Sequence, residues 1–287
     1  MATRVEPVLP APLTFGRFLA RRAVRGLEGI GGQIAFYARA IADAITVVPR
    51  YPSEVLRIIG EITWGSGALI VGAGSAGVIF FMAFITGGLV GLEGFKGLEL
   101  IGAETFSGFV SAFGNTREIT PIIAGVTLAA QVGAGFTAEL GAMRISDEID
   151  ALEVMAMPTR RYLVASRVVA CLVAVTPLYL ISLFASYLAT EIAVVQLQGL
   201  SAGTFSHYFN LFLPPIDVFY SLVKAWTFAG AVALIHCYYG YTATGGPVGV
   251  GIAVGKAIRT SIVAVMVLDF ALSAVMWGVT DTIRIAG

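Results

Sequence analysis

Five long stretches of this chain are apolar runs interrupted mainly by small residues. No Asp, Glu, Lys or Arg lies between Glu61 and Glu93, between Glu118 and Glu139, or between Arg167 and Glu191. Two further runs, 218–241 and 257–280, each hold one deep charge, Lys224 and Asp269. A membrane-crossing helix needs about 20 mostly apolar residues. The pattern therefore predicts spans over 64–90, 118–140, 164–190, 216–241 and 257–281. Residues 192–213 also lack charge, but Gln196, Gln198, Ser201, His207 and Asn210 stud them. They read as an external loop with local helix.

Before the first span the pattern changes period. Phe15, Leu19, Leu27, Ile30, Ile34, Tyr37, Ile41 and Ile45 recur at mostly helical spacing, with Arg17, Arg21, Arg22, Arg25 and Arg39 on the polar side. This predicts an amphipathic helix lying in the inner leaflet interface. A helix packing on a soluble body is the plainer alternative. Pro49 and Pro52 break it, and Ser53 can cap the next helix. Residues 1–13 are expected to be a flexible N-terminus, 14–62 interfacial helices and 63–284 the spanning domain. The first residues have no short apolar core before a small-residue cleavage site, so they do not read as a signal peptide.

Composition agrees with the pattern. The chain has 287 residues, 57% hydrophobic and 13% charged, against roughly 25% charged in soluble domains. Net charge is zero, which gives nucleic acid no field to follow. Where the basic residues sit sets orientation. Eight precede span one, four lie between spans two and three (Arg144, Arg160, Arg161, Arg167), and Lys256 and Arg259 lie between spans four and five. The opposite side holds Lys96, Arg117 and Arg284. The N-terminus is thus expected to be cytoplasmic and the C-terminus extracytoplasmic.

Small residues mark where helices can close on one another. Gly65, Gly67, Gly72, Gly74 and Gly77 in span one, with the four-apart pairs Gly72/Ala76 and Ala73/Gly77, allow close approach in lipid; so do Gly133 and Gly135 in span two. Lys224 and Asp269 both fall near mid-bilayer on consecutive antiparallel helices. A lone charge there costs several kcal/mol, so an ion pair between them is predicted. It clamps two helices or, as the less favoured alternative, relays protons. Arg117, Glu118 and Pro121 are expected to open span two at the external face, the two charges pointing about 100° apart on a helix.

Between spans two and three, Ser146 fits a helix N-cap, Asp147 and Glu148 suit the positive end of the helix dipole, and Pro158 stops the helix. Ile145, Ile149, Leu152 and Ala156 form its apolar stripe, and Asp147, Asp150 and Glu153 its polar face. It is either a surface helix packed on its own bundle or a knob for a soluble partner. Other signals lead nowhere. Gly249 to Ala257 has the wrong spacing for a nucleotide-binding loop and Ala257 where Ser or Thr belongs. His207 and His236 are too few for a metal centre. No catalytic cluster stands out, so no cofactor is expected on this chain.

The runs Glu139–Arg144 and Glu148–Met155, followed by Tyr239–Tyr241 and Gly245–Gly251, resemble the MlaE/YrbE permease family over about residues 50–280. His236–Tyr241 and Glu104–Phe109 resemble its B-type YrbE branch from actinobacterial MCE systems. The resemblance implies an all-α polytopic membrane protein: an N-terminal interfacial helix, five transmembrane helices and a short cytoplasmic coupling helix at 146–157. It implies a lipid permease in the plasma membrane, associated with import, that pairs with an A-type YrbE paralogue. Two copies of an ABC ATPase would supply ATP and Mg chemistry, and MCE proteins would sit outside. It assigns Arg117, Glu118 and Pro121 to a lipid pocket and Lys224 with Asp269 to an intramembrane pair. Glu139, Arg144, Ser146, Asp147, Glu148, Asp150, Leu152, Glu153 and Met155 would couple to the ATPase. The competing class is an ion-coupled secondary transporter, which inverted repeats would favour; none is evident. A lipid-modifying enzyme would need a catalytic cluster near one interface.

Overall fold

A computed structural model describes the backbone of residues 11–64 and 74–278, and side chains from residue 31 onward except Trp64. The regular elements among them are all helical. In chain order they are α1 (Ala11–Arg50), α2 (Pro52–Trp64), α3 (Gly74–Glu99), α4 (Glu104–Ile145), α5 (Glu148–Val154), α6 (Arg160–Leu197), α7 (Ala202–Phe212), α8 (Pro215–Tyr241) and α9 (Gly246–Trp277). The five candidate membrane spans are α3, α4, α6, α8 and α9. The protein is an all-α, multi-pass membrane protein.

Helix ends follow turn chemistry more than charge. α3 runs past Val90 to Glu99, carrying Glu93 and Lys96 with their side chains in the open. The chain then turns at Gly102, whose φ of 68° is left-handed. α4 begins at Glu104, so Glu118 lies deep inside it rather than at its start. α9 begins at Gly246, after Gly245 at φ 91°, rather than at 257. The expected start of span one, with Gly65, Gly67, Gly72 and Ala73, lies outside the described residues. α1 already includes Ala11, and it continues through Pro49 before stopping at Tyr51. The ring of Pro52 pushes that preceding residue out of the helical region. Ser53 lies within the first turn of α2 instead of capping it.

α4 and α6 are not α-helical throughout. Val110–Ile119 and Ala129–Gly133 in α4, and Arg160–Ala165 and Ile192–Leu197 in α6, are π-helical. Such widened turns are rare and cluster at functional sites.

α6 is the inner helix, and α3 lies against it with almost no gap. A Cβ on Gly87 would sit 2.5 Å from the Ser186 carbonyl, and one on Gly91 would sit 3.0 Å from that of Thr190. Gly87 and Gly91 are thus a close-packing pair of span one among the described residues. Asn115 Nδ2 donates to Thr190 Oγ1 (2.8 Å), which donates to the Gly87 carbonyl (2.7 Å). Of the two glycines expected to pack in span two, Gly133 is pressed against the His236 ring and Gly135 faces open space. Phe81, Ile85 and Leu89 of α3 and Val263, Val267 and Phe270 of α9 are exposed, as lipid-facing sides of spanning helices require.

α1 lies on the end of the bundle that carries α5. Ala40, Asp43 and Val47 face the bundle. Asp43 accepts from Arg160 Nε at 2.8 Å and pairs with Arg161 at 3.2 Å. The predicted stripe residues Ile34, Ile41 and Ile45 point away from the protein. Side chains of Phe15, Leu19, Leu27 and Ile30 lie outside the described residues.

Candidate functional site: a buried charge cluster and an acidic helix

Toward the end of the bundle opposite α5, three helices bring ionised side chains into the interior. Lys224 of α8 is fully buried, and its Nζ lies 2.6 Å from Asp269 Oδ1 of α9. The predicted pair is in contact, as an ion pair off the line of a good hydrogen bond. The ammonium spends its hydrogen bonds elsewhere: on the Arg117 carbonyl (2.6 Å), Ser273 Oγ (2.9 Å) and Glu118 Oε2 (3.3 Å). Ser273 in turn donates to Glu118 Oε1 at 2.7 Å.

Pro121 explains the first of these contacts. It has no N–H to offer the carbonyl four residues back, and that carbonyl belongs to Arg117. Lys224 reaches across from α8 and donates to it. Pro121 is itself buried within α4 and lines no external mouth.

Arg117 and Glu118 do not open a helix. They sit at the end of the π segment Val110–Ile119, well inside α4. Arg117 is buried and grips Asp217 of α8, with Nε at 2.8 Å and Nη2 at 2.7 Å from Oδ2. Its guanidinium lies 4.0 Å from the Phe113 ring centroid. Trp277 Nε1 donates to the second Asp217 oxygen at 2.9 Å. The neighbours thus serve different partners: Arg117 takes Asp217 while Glu118, whose side chain is 40% exposed, turns to Lys224. Two cations and three carboxylates share this space.

The cluster also sits off-centre. Lys224 is the tenth of 27 residues in α8, about 13 Å along a rod of about 40 Å. Asp269 precedes the end of α9 at Trp277 by about 12 Å. The charges therefore lie about a third of the way into the bundle from the end opposite α5, short of its midpoint. Asp217, Ser273 and Trp277 escape sequence reasoning. Asp217 is an acid at a span boundary, where a carboxylate usually meets water, and only its contact with Arg117 marks it out.

At the other end, α5 projects from the bundle. Ser146 is not its N-cap but closes α4, its hydroxyl donating to the Ala142 carbonyl at 3.0 Å and to Glu148 Oε1 at 2.9 Å. Asp147 caps α5 with a left-handed backbone, φ 60°. Ile149 is buried and Leu152 packs against the core. Arg144 pairs with Asp150, and Glu139 pairs at 2.7 Å with the buried Arg167. Facing outward are Asp147, Glu148, Asp150 and Glu153, with Val154 88% and Met155 63% exposed beside them. α5 is shorter than predicted, and Ala156 lies beyond it in the exposed turn.

A cavity of about 380 Å³ lies between α2, α3 and α4, lined by Glu61, Ile62, Ser75, Gln131, Phe136 and Glu139 among others. It contains none of Arg117, Glu118 and Pro121. Among the described residues no three His, Cys, Asp or Glu side chains come together as a metal site.

The family model described as Permease MlaE matches residues 65–275. A probable ABC transporter permease protein of Rickettsia bellii is 27% identical over 93% of this chain and 99% of its own length. A protein of that description from Synechocystis is 34% identical over 70% of this chain and 78% of its own. The Arabidopsis thaliana protein TRIGALACTOSYLDIACYLGLYCEROL 1, chloroplastic, is 28% identical over 80% of this chain and 67% of its own.

Proposed function

This chain belongs to the MlaE permease family, and from that premise we propose that it is the membrane subunit through which an ABC ATPase moves a hydrophobic lipid across the plasma membrane. α5 is the cytoplasmic docking helix, which places the N-terminus inside and the C-terminus outside. The charge cluster then lies toward the extracytoplasmic end. The chain pairs with a second permease, an A-type paralogue, and hands lipid to or from MCE proteins outside; import is the favoured direction. Arg117, Glu118 and Pro121 serve the lipid path by holding α4 against α8 and α9 beside the partly exposed Glu118 carboxylate, where a lipid headgroup can be met.

One observation carries the docking reading. Val154 and Met155 are open apolar side chains at the end of a short helix ringed with carboxylates, which Ile149 anchors to the bundle from its buried face. Exposed apolar anchors with a charged rim are what a partner groove takes up. The family's permeases work beside an ATPase, and this surface is shaped for one. The test is co-purification of the ATPase with a Val154→Asp/Met155→Asp variant. Both side chains are too exposed to support the fold, so insertion and thermal stability should stay at parental level while ATPase association is lost. Undiminished association would refute the docking role.

A further inference from the structure

The end of α5 is tied to the bundle by a small closed set of hydrogen bonds that shares nothing with the charge cluster and only Glu153 with the docking surface. α5 finishes in a reversed turn: Met157 N–H donates to the Leu152 carbonyl (3.1 Å) and Ala156 N–H to that of Glu153 (2.9 Å). Ala156 takes a left-handed φ of 58°. This is a Schellman closure with alanine in the place that favours glycine. It folds the chain back so that Thr159 stands over Glu153.

There three side chains meet. Thr159 Oγ1 donates to Glu153 Oε1 at 3.1 Å, Tyr241 OH reaches the same carboxylate oxygen at 2.9 Å, and the two hydroxyls lie 2.9 Å apart. Thr159 is only 5% exposed. The Tyr241 ring rests on Phe36 of α1, centroids 5.8 Å apart. Next in sequence to Thr159, Arg160 and Arg161 hold Asp43 of α1. Tyr241 is the last residue of α8, which has neither an internal proline nor a π segment. By contrast α6 contains Pro177 and starts in a π turn, and α4 holds two π segments. From Tyr241 to Lys224, α8 is an unbroken rod of about 26 Å.

We infer that Tyr241 and Thr159 are positioning residues that clasp α5 to α8, so that a push on α5 travels along α8 as one body to Lys224 and the buried cluster. The clasp lives in this chain alone, while its use in transport rests on the docking role given to α5. Two pieces of one body keep a fixed separation, and a hydroxyl that merely filled space would not set it.

The experiment places spin labels at Ala151→Cys on α5 and Phe219→Cys near the far end of α8, both exposed sites, in lipid nanodiscs. Cys171 and Cys237 are buried. Dipolar spectroscopy then reads the separation. The parent should give one narrow distance. Tyr241→Phe keeps the ring on Phe36 and removes the hydroxyl; Thr159→Val removes the other. Each should raise the population with α5 released by about tenfold, seen as a broadened distance, and Thr159→Ser should restore the narrow one. With the ATPase bound and trapped by vanadate, the parental distance should hold while both variants lengthen or scatter. Variant distributions that coincide with the parent overturn the clasp, as does a parental distance that changes on trapping. The isolated permease tests the clasp without any ATPase. Loss of the docking role in the Val154/Met155 experiment is therefore a separate failure.

Discussion

Removing one member of the Lys224 cluster should not be equivalent to removing another, and the contact distances set the order. Lys224→Met takes away the only cation among the described residues that pairs with Asp269 and Glu118. Two carboxylates then face one another beside a buried apolar wall, and breaking a buried pair in this way costs about 3–5 kcal/mol. Asp269→Asn is gentler, since Lys224 keeps Glu118, Ser273 and the Arg117 carbonyl. Its loss should be nearer that of one charge-assisted hydrogen bond, about 1.5–3 kcal/mol. In Lys224→Met/Asp269→Asn the half-exposed Glu118 is the one unpaired carboxylate left, so the double variant should be more stable than Lys224→Met alone. Thermal unfolding of the four proteins in one detergent, analysed as a double-mutant cycle, measures the coupling. Additive losses, or an Asp269→Asn variant weaker than Lys224→Met, would refute the reasoning.

Three other outcomes follow from described contacts. Arg117→Lys keeps the charge but loses the fork on Asp217, which Trp277 also holds; it should lower the unfolding temperature, and Asp217→Asn should match it. Gly87→Ala drives a methyl into the Ser186 carbonyl and should cost about 1–3 kcal/mol by overpacking. Gly97→Ala meets open space and should cost nothing. Both are read by thermal unfolding. The Arg57 guanidinium, bonded to Glu54 at 2.6 Å and 3.0 Å, holds that carboxyl below its ordinary range. The folded pKa is depressed, so this contribution is complete above about pH 4.3 and fades as the pH falls through the folded value. Amide protection factors in residues 52–64, taken against the intrinsic exchange rate at each pH, should fall on acidification, and Glu54→Gln should flatten the response.

How much of this could be read from the chain differs by element. The number and order of spans follow from five charge-poor runs, because hydrocarbon excludes charge over a fixed thickness. Their limits do not, because Glu93, Lys96, Arg117 and Glu118 sit within helices that continue until a left-handed glycine turns them. The contact of Lys224 with Asp269 was visible as two isolated charges on adjacent antiparallel helices. Their companions were not: spacing along one helix says nothing of rotation, and the π turn before Ile119 changes which way Arg117 and Glu118 face. The acidic helix was legible by its apolar stripe. Ser146 was misplaced because a serine that caps the next helix and one that closes the last look alike in sequence.

The cluster is also a statement about time. Arg117 meets Asp217 after 100 further residues of chain, and Ser273 reaches Glu118 across 155. During synthesis α4 is complete long before either partner exists, so it must wait with its charges hydrated at the membrane surface or shielded by other groups. The widened turns of Val110–Ile119 gain part of their tertiary support from α6, through Asn115 and Thr190, and the rest only when α8 and α9 arrive. Span two therefore reaches its final form last among its neighbours, and the latest-made helices are the ones that seat it.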